Sequence, residues 1–441
     1  MEGYLLKNMP SVSSPKYQAY TIRNFLGLAQ IKNFTEEEKF NIEVVGHVLP
    51  FKSNNYVVEE LIDWNDVPND PIFILTFPQK AMLKSHHFEK MANSLKDGSS
   101  KELIKETADR IRWELNPHPA GQIEHNVPSF EGKMLLGIQH KYNETVLLFP
   151  SQGQTCHAYC SFCFRWPQFV GIDELKFATR ETELLVQYVH EHPEVSDVLI
   201  TGGDPLIMKT NTIGTYINAL LDANIPHLKT IRIGTKALGY WPYRFLTDSD
   251  ASDLLALFER VTQTGRHLAI MAHFNHPREL KTDSVRAAIL EIQKTGAQIR
   301  TQSPLLAHIN DKPEIWAEMW KEQVNLGCIP YYMFIARDTG AQHYFSVSLV
   351  RAWKIFREAY RSVSGLARTV RGPSMSAMPG KIQIMGVNEI EGEKVFVLQF
   401  LQGRNPEWVL RPFFARYDEK AAWFDELRPA FGENKFFFES E

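Results

Sequence analysis

At 441 residues, with 44% hydrophobic and 23% charged side chains, the chain is long enough for a large core and has the balance of an ordinary soluble globular protein. Its formal net charge of −4 excludes a global pull toward nucleic acid or anionic membrane, and four cysteines exclude a disulfide scaffold. No run approaches the ~18 consecutive apolar residues of a membrane span, and "MEGYLLKNMPSVSSPKY" lacks a basic stretch followed by an apolar one, so a cytoplasmic protein is expected.

In chain order, residues 1–125 read as a mixed, helix-leaning extension without repeats. Its clearest element is "SSKELIKETADRIRWEL" (99–115), where Ser99 or Ser100 caps a helix and Leu103, Ile104, Ala108, Ile111 and Leu115 share one face. "NPHPAG" (116–121) ends it, because two prolines in three positions cannot continue a helix. From residue 126 to 360 a regular alternation is expected. β-rich runs stand at "VLLFP" (146–150), "DVLIT" (197–201), "TIRIG" (230–234), "HLAIMAH" (267–273), "AQIRTQ" (297–302) and "CIPYYMF" (328–334). Helical stretches fall between them at 181–192, 212–223, 251–261, 284–293 and 314–324. Near-continuous apolar strands alternating with helices predict parallel βα units. Six such strands could close part of a barrel or lie open in a doubly wound sheet; either way, chemistry gathers where loops leave their C-terminal ends. Residues 361–441 are less regular, hold a strand-like "EKVFVLQFL" (393–401), and are expected to form a flap against the central unit.

"TCHAYCSFCFRW" (155–166) crowds three of the four cysteines into eight positions, directly after the first strand. Zinc sites usually draw four ligands in two spaced pairs, whereas Cys328 stands alone in an apolar run and reads as a core residue. Three thiolates in one tight loop, Cys156, Cys160 and Cys163, suit three irons of a cubane cluster and leave the fourth iron open. His157, Ser161 and Arg165 make the stretch too polar for a packed core run. One strand along, "TGGDPL" (201–206) offers Gly202 and Gly203 for close approach of a ligand to the backbone, and Asp204 as a partner for an ammonium.

The C-x-x-x-C-x-x-C spacing, with Phe162 before the third cysteine, resembles the radical S-adenosylmethionine (SAM) superfamily. "TGGDPL" is similar to that superfamily's SAM-amine motif. "GIQHKYNETVLL", "LITGGDPL", "IRIGTKA", "AHFNHPREL", "TQSPLL" and "LGCIPYYMF" resemble segments of the lysine 2,3-aminomutase family, in family order, over roughly residues 135–385.

The resemblance implies an α/β fold with a partial (β/α)6 TIM-like barrel, an N-terminal mostly helical extension and a C-terminal cofactor-binding flap. It implies a 4Fe-4S cluster on Cys156, Cys160 and Cys163, and SAM held at the open iron near Gly202, Gly203, Asp204, His273 and Gln302. Reductive cleavage of SAM would give a 5′-deoxyadenosyl radical that takes hydrogen from an amino-acid substrate. Pyridoxal phosphate (PLP), carried by Lys381 of "MPGK", would hold the migrating amine, and Arg165 would hold the substrate carboxylate. An electron donor such as flavodoxin or ferredoxin is the implied partner, and family members are often homo-oligomers.

The sequence departs from that family where lysine's distal ammonium would be held. Aligned on Gly340, the first of two expected carboxylates is Ala336, with Asp338 two residues on; the second lies in "GPSMSAMPGK" (372–381), which has no carboxylate. Free lysine is therefore not the expected substrate. Two family arginines appear as Lys141 and Thr145, and Arg368 and Arg371 are candidates to supply the missing charge. Two further readings stay open: a radical SAM enzyme without PLP, and a non-enzymatic iron–sulfur protein.

Overall fold

The alternation of strands and helices becomes one mixed sheet of eleven strands in a computed structural model that describes residues 15–439. Residues 1–14, read above for targeting signals, lie outside the described residues. A short antiparallel pair comes first, β1 (Ala19–Thr21) with β2 (Lys52–Asn54). The large sheet comprises β3 (Ile138–Tyr142), β4 (Thr145–Leu148), β5 (Asp197–Ile200), β6 (Thr230–Thr235), β7 (His267–His273), β8 (Gln298–Leu305), β9 (Ile329–Ile335), β10 (Arg371–Ser376), β11 (Gly380–Ile390), β12 (Glu393–Gly403) and β13 (Pro412–Arg416). Spatial order follows chain order from β3 at one edge to β13 at the other. Strands β4 to β10 run parallel, β3 is antiparallel to β4, and β11 to β13 form an antiparallel meander.

Helices of ten residues or more are α1 (Glu36–Val48), α2 (Ser85–Lys96) and α3 (Lys101–Glu114) in the extension. Then come α4 (Thr182–Glu191), α5 (Thr210–Asp222), α6 (Ala251–Gln263), α7 (Asp283–Lys294), α8 (Pro313–Asn325) and α9 (Leu349–Arg361), one in each crossover from β4 to β10. Strand β7 shows why the pattern reads as it does. Leu268 to Ala272 are all buried, because a parallel strand is covered on both faces and alternation is not required. Helix α3 is capped by the Ser100 side chain, which accepts from the Leu103 amide. Ala108, Ile111 and Leu115 are buried and Ile104 partly so, while Leu103 is 44% exposed and does not join the expected face.

Two features differ from the sequence reading. A seventh parallel strand, β10, is spelled "RGPSMS", whose glycine, proline and serines carry little strand propensity; burial between β9 and β11 overrides it. The C-terminal region is not a separate flap either, since β10 to β13 extend the same sheet and their apolar faces join the one core that runs from Tyr20 to Phe438. Among the described residues no helix is long and apolar enough to cross a membrane.

Candidate active site

The cysteine loop leaves β4 and is held largely by the N-terminal extension. The Tyr159 amide donates to the Lys52 carbonyl at 2.7 Å, and Lys52 Nζ donates to the Cys156 carbonyl at 2.7 Å. The Ser161 amide and hydroxyl donate to the carbonyls of Leu75 and Ile74, at 2.9 and 2.7 Å. The His157 carbonyl accepts from Tyr17 Oη at 2.6 Å and from Asn54 Nδ2 at 3.2 Å. None of these clamps was legible in the sequence, because they pair residues about a hundred positions apart and every acceptor is a main-chain carbonyl that any residue carries.

The Gly202–Gly203 turn packs on the base of that loop. A Cβ on Gly203 would lie 2.5 Å from the Thr155 carbonyl oxygen and 2.6 Å from its amide nitrogen; on Gly202, at φ +155°, it would lie 2.6 Å from Gln154 Nε2. The Asp204 amide donates to the Gly153 and Thr155 carbonyls. The Asp204 carboxylate is buried and already engaged: it accepts from Thr235 Oγ1 at 2.8 and 2.9 Å and from the amides of Leu206 and Lys236 at 2.9 and 2.8 Å. It therefore clasps the end of β5 to the end of β6 instead of presenting free oxygens to an ammonium. The Gly202 and Gly203 carbonyls, which accept no hydrogen bond among the described residues, are the groups left for that purpose.

His273 ends β7 and Gln302 is its register partner on β8, with Gln302 Nε2 and His273 Nε2 2.9 Å apart. Burial, with Lys236 and Arg165 adding, holds the imidazole down at about 3, so it is neutral at working pH. Lys236 itself pairs with the buried Glu279 at 2.5 Å and stands 4.2 Å from the Tyr240 ring centre.

Arg165 lies over two rings, 4.3 Å from Phe149 and 5.0 Å from Phe164, and pairs with no carboxylate among the described residues. Burial lowers its guanidinium to about 10, with Cys163 opposing and Arg337 adding. Arg337, just beyond β9, stands 5.0 Å from the same Phe164 ring. Sequence reasoning did not single it out, since one arginine after a strand has no local signature.

Lys381, on β11, donates to Gln402 Oε1 at 2.9 Å and lies 4.2 Å over the Tyr332 ring. Burial lowers its amine to about 8; Tyr331 opposes, and Arg232 and Arg371 add. Lys141 of β3 reaches across to the Ala377 carbonyl at 2.5 Å and is lowered to about 6 by burial, then by Arg404, Arg337 and Lys381. Arg404, just past the end of β12, is spent on the carbonyls of Met378 and His125 and on Asn126 Oδ1. Arg371 lies 5.3 Å from the Tyr331 ring and acts on Lys381. Arg368 does not supply charge here: its guanidinium is spent on the carbonyls of Tyr360 and Val363. Thr145 is bonded to Asp197, which also pairs with Arg232. Asp338 binds Asn116, and Cys328 is buried at 3% exposure, as a core residue. A hollow of about 300 Å³ lined by Gln18, Tyr20 and Glu59 holds none of these groups.

No protein-family model matches the chain. A protein of Aquifex aeolicus (strain VF5), provisionally named L-lysine 2,3-aminomutase, is 32% identical over 414 residues, which cover 94% of this chain and 97% of its own. The chain belongs to the lysine 2,3-aminomutase family. L-lysine 2,3-aminomutases of Methanococcus maripaludis and Escherichia coli (strain K12) are 25% and 29% identical, covering 83% and 54% of this chain and 72% and 66% of their own. A radical SAM methyltransferase from Sphaerobacter thermophilus covers 67% of this chain and 94% of its own, at 12% identity and a TM-score of 0.36, too loose a likeness to argue from.

As a lysine 2,3-aminomutase relative the protein is a radical SAM enzyme of the isomerase kind, which implies SAM and a 4Fe-4S cluster. The cysteine loop suits a cluster by its donor set: three free cysteines stand in one loop, and the fourth, Cys328, is buried just before β9 as a core residue. Burial raises Cys160 to about 12 and Cys163 to about 11, outweighing nearby Lys236 and Arg165, and raises Cys156 well above the ordinary thiol value. Thiols so placed become thiolates when a metal takes them. A PLP also fits, on a desolvated amine at Lys381, with the buried Lys141 amine, lowered to about 6, placed to take up a proton against a phosphate.

Proposed function

We propose that the protein is a PLP-dependent radical SAM aminomutase that moves the α-amino group of an amino acid other than free lysine to its β carbon. The observation that carries this is continuity. Arg165, two residues past Cys163, shares the Phe164 ring with Arg337, and Lys141 shares the Tyr142 ring with Lys381, so the thiol loop, the unpaired arginine and the desolvated lysine are linked through side chains packed on common rings. We propose further that the sheet curls into the family's partial (β/α)6 barrel. Lys141 on β3 touches Ala377 beyond β10, although these strands bound opposite sides of the parallel run.

In this reading Cys156, Cys160 and Cys163 hold the cluster, and the Gly202–Gly203 carbonyls, His273 and Gln302 hold SAM. Arg165 takes the substrate α-carboxylate in a two-pronged bond. Lys381 carries PLP, with Lys141 on its phosphate. When bound, cluster and SAM together supply a hydrogen-abstracting carbon radical on receipt of one electron, and PLP supplies the π system across which an amine shifts. The chain's own work is placement and exclusion. Phe149, Phe164 and Tyr332 wall the cleft and keep water from the reacting carbons, while Arg165 fixes which carbon faces the loop. A small iron–sulfur or flavin protein would supply the electron.

The test is anaerobic, cluster-reconstituted protein with SAM, a chemical reductant and candidate amino acids. Formation of 5′-deoxyadenosine carrying deuterium from the substrate is expected, with PLP absorbance that Lys381→Ala abolishes. Failure to cleave SAM sinks the radical reading; cleavage without any PLP uptake leaves the PLP-free reading in its place.

A further inference from the structure

The cleft holds more positive charge than the reading above uses. Lys141 serves a phosphate and Arg165 an α-carboxylate, which leaves Arg337. Its Nη2 makes a 3.3 Å bond to the Pro119 carbonyl, its Nε is buried without any partner, and no acidic side chain among the described residues forms an ion pair with it. Arg165 and Arg337 lean on the one Phe164 ring, each 5.0 Å from its centre. Two guanidiniums this close repel, and a desolvated guanidinium needs an anion to offset the water it has lost. Asp338, the chain neighbour, is the largest charge acting on Arg337 after burial, but it makes no ion pair with it. One of its oxygens is held by Asn116, the other is buried without a partner, and its charge acts on Asp425 as well as on Arg337.

We propose, resting on the aminomutase reading, that the substrate is an amino acid whose side chain ends in a carboxylate, with Arg165 receiving the α-carboxylate and Arg337 the distal one. A basic side chain would bring an ammonium against Arg165 and Arg337, with the Asp338 carboxylate opposing them. A dicarboxylic amino acid neutralises both arginines across the width of one phenyl ring, and Arg337's free Nε–H and Nη form the fork that such a group accepts. Aspartate, glutamate and 2-aminoadipate differ in reach alone, so their ranking measures the depth of the cleft.

The experiment offers these three acids, lysine, arginine and alanine to reconstituted enzyme with SAM, PLP and reductant, and follows deuterium from each into 5′-deoxyadenosine. It is run on the parent, Arg337→Met, Arg337→Lys and Asp338→Asn, with iron content and a PLP titration on each. One or more acids should lead the ranking in the parent. Arg337→Met should lower kcat/KM for that acid by about 100-fold or more, with Arg337→Lys intermediate and PLP affinity unchanged. If Arg337→Met does not retain iron, the Lys variant and acid-induced changes in bound-PLP absorbance carry the test. Lysine or arginine leading in the parent, above all if Asp338→Asn abolishes it, overturns the inference and leaves the aminomutase reading standing. So does an Arg337→Met variant that binds PLP at least tenfold more weakly with the ranking intact, which would assign the arginine to the cofactor phosphate. SAM cleavage with no deuterium transfer from any acid also overturns it. No SAM cleavage at all removes the underlying reading and this one with it.

Discussion

Asp204 and Arg165 both carry a formal charge into the rim of the sheet, and the fold treats them in opposite ways. Around Asp204 the donors are matched: two amides and a threonine hydroxyl converge on two carboxylate oxygens, and glycines let the turn sit on the cysteine loop. Around Arg165 and Arg337 there are ring faces, thiols, further cations and the single carboxylate of Asp338, and both Arg337 Nε and Asp338 Oδ1 are buried without a partner. A polar group whose bonds are all made inside the chain fixes geometry. A buried ion whose bonds are not made is costly unless something else supplies the counter-charge. By that criterion the turn is scaffold and the cleft is where ligands complete the structure.

The comparison breaks most visibly at the cysteines. Replacing Cys156, Cys160 or Cys163 with serine should abolish iron binding and lower SAM cleavage by more than about a thousandfold, since the radical chemistry is the cofactor's and not the protein's. Iron analysis and visible absorbance check the first effect, 5′-deoxyadenosine the second. Retained iron in all three variants would mean the loop is not the cluster site.

On the scaffold side, Gly203→Ala inserts a methyl against main-chain atoms of Thr155 that cannot swing away. Overpacking of this kind costs about 1–3 kcal/mol, and a shift of the loop by a fraction of an ångström is expected to slow turnover roughly 100-fold. Gly365→Ala, where no atom lies within 4 Å of the added carbon, is the matched control and should leave melting temperature and turnover unchanged.

The same contrast explains what could be read from the sequence. Strands β4 to β9 and their crossover helices were legible because apolar periodicity is local, and the cysteines because one loop must hold all three. Strand β10 was missed because its residues are poor strand formers held by their neighbours, and Arg368 was misjudged because its bonds run back into its own helix end. The Lys52, Ile74 and Leu75 clamps on the cysteine loop, and Arg337 beside Arg165, are products of long-range folding. Each is set by which loops meet at the rim, and no window of sequence contains both partners.

On the cleft side, Lys381 gives a pH test with a definite sign. Its amine is lowered from 10.5 to about 8 chiefly by burial, so the neutral, nucleophilic form gains tenfold per pH unit up to about 8 and then saturates. Stopped-flow uptake of PLP should follow that curve. Arg371→Gln removes a cation that favours the neutral amine, so it should move the plateau to higher pH; a midpoint near 10.5 in the parent would show the amine is solvated.

The smallest expected effect lies at the joint between the two arginines. Thr339, two residues past Arg337, donates to the Asn116 carbonyl at 2.5 Å and accepts from Nε1 of Trp166, the residue after Arg165, at 2.9 Å. Thr339→Val keeps the shape and removes the acceptor, leaving a buried indole N–H unpaired at a cost of about 1–3 kcal/mol. Because the bond lies three residues past Cys163, the last thiol of the loop, and outside the Asp204 clasp, iron content and uncoupled SAM cleavage should be unaltered. The change should appear as a lower melting temperature and a KM for the amino acid raised by a few-fold, with kcat nearly constant. A loss of iron instead would mean that the loop and the cleft are one mechanical unit, and the division drawn between scaffold and ligand-completed site would have to give way there.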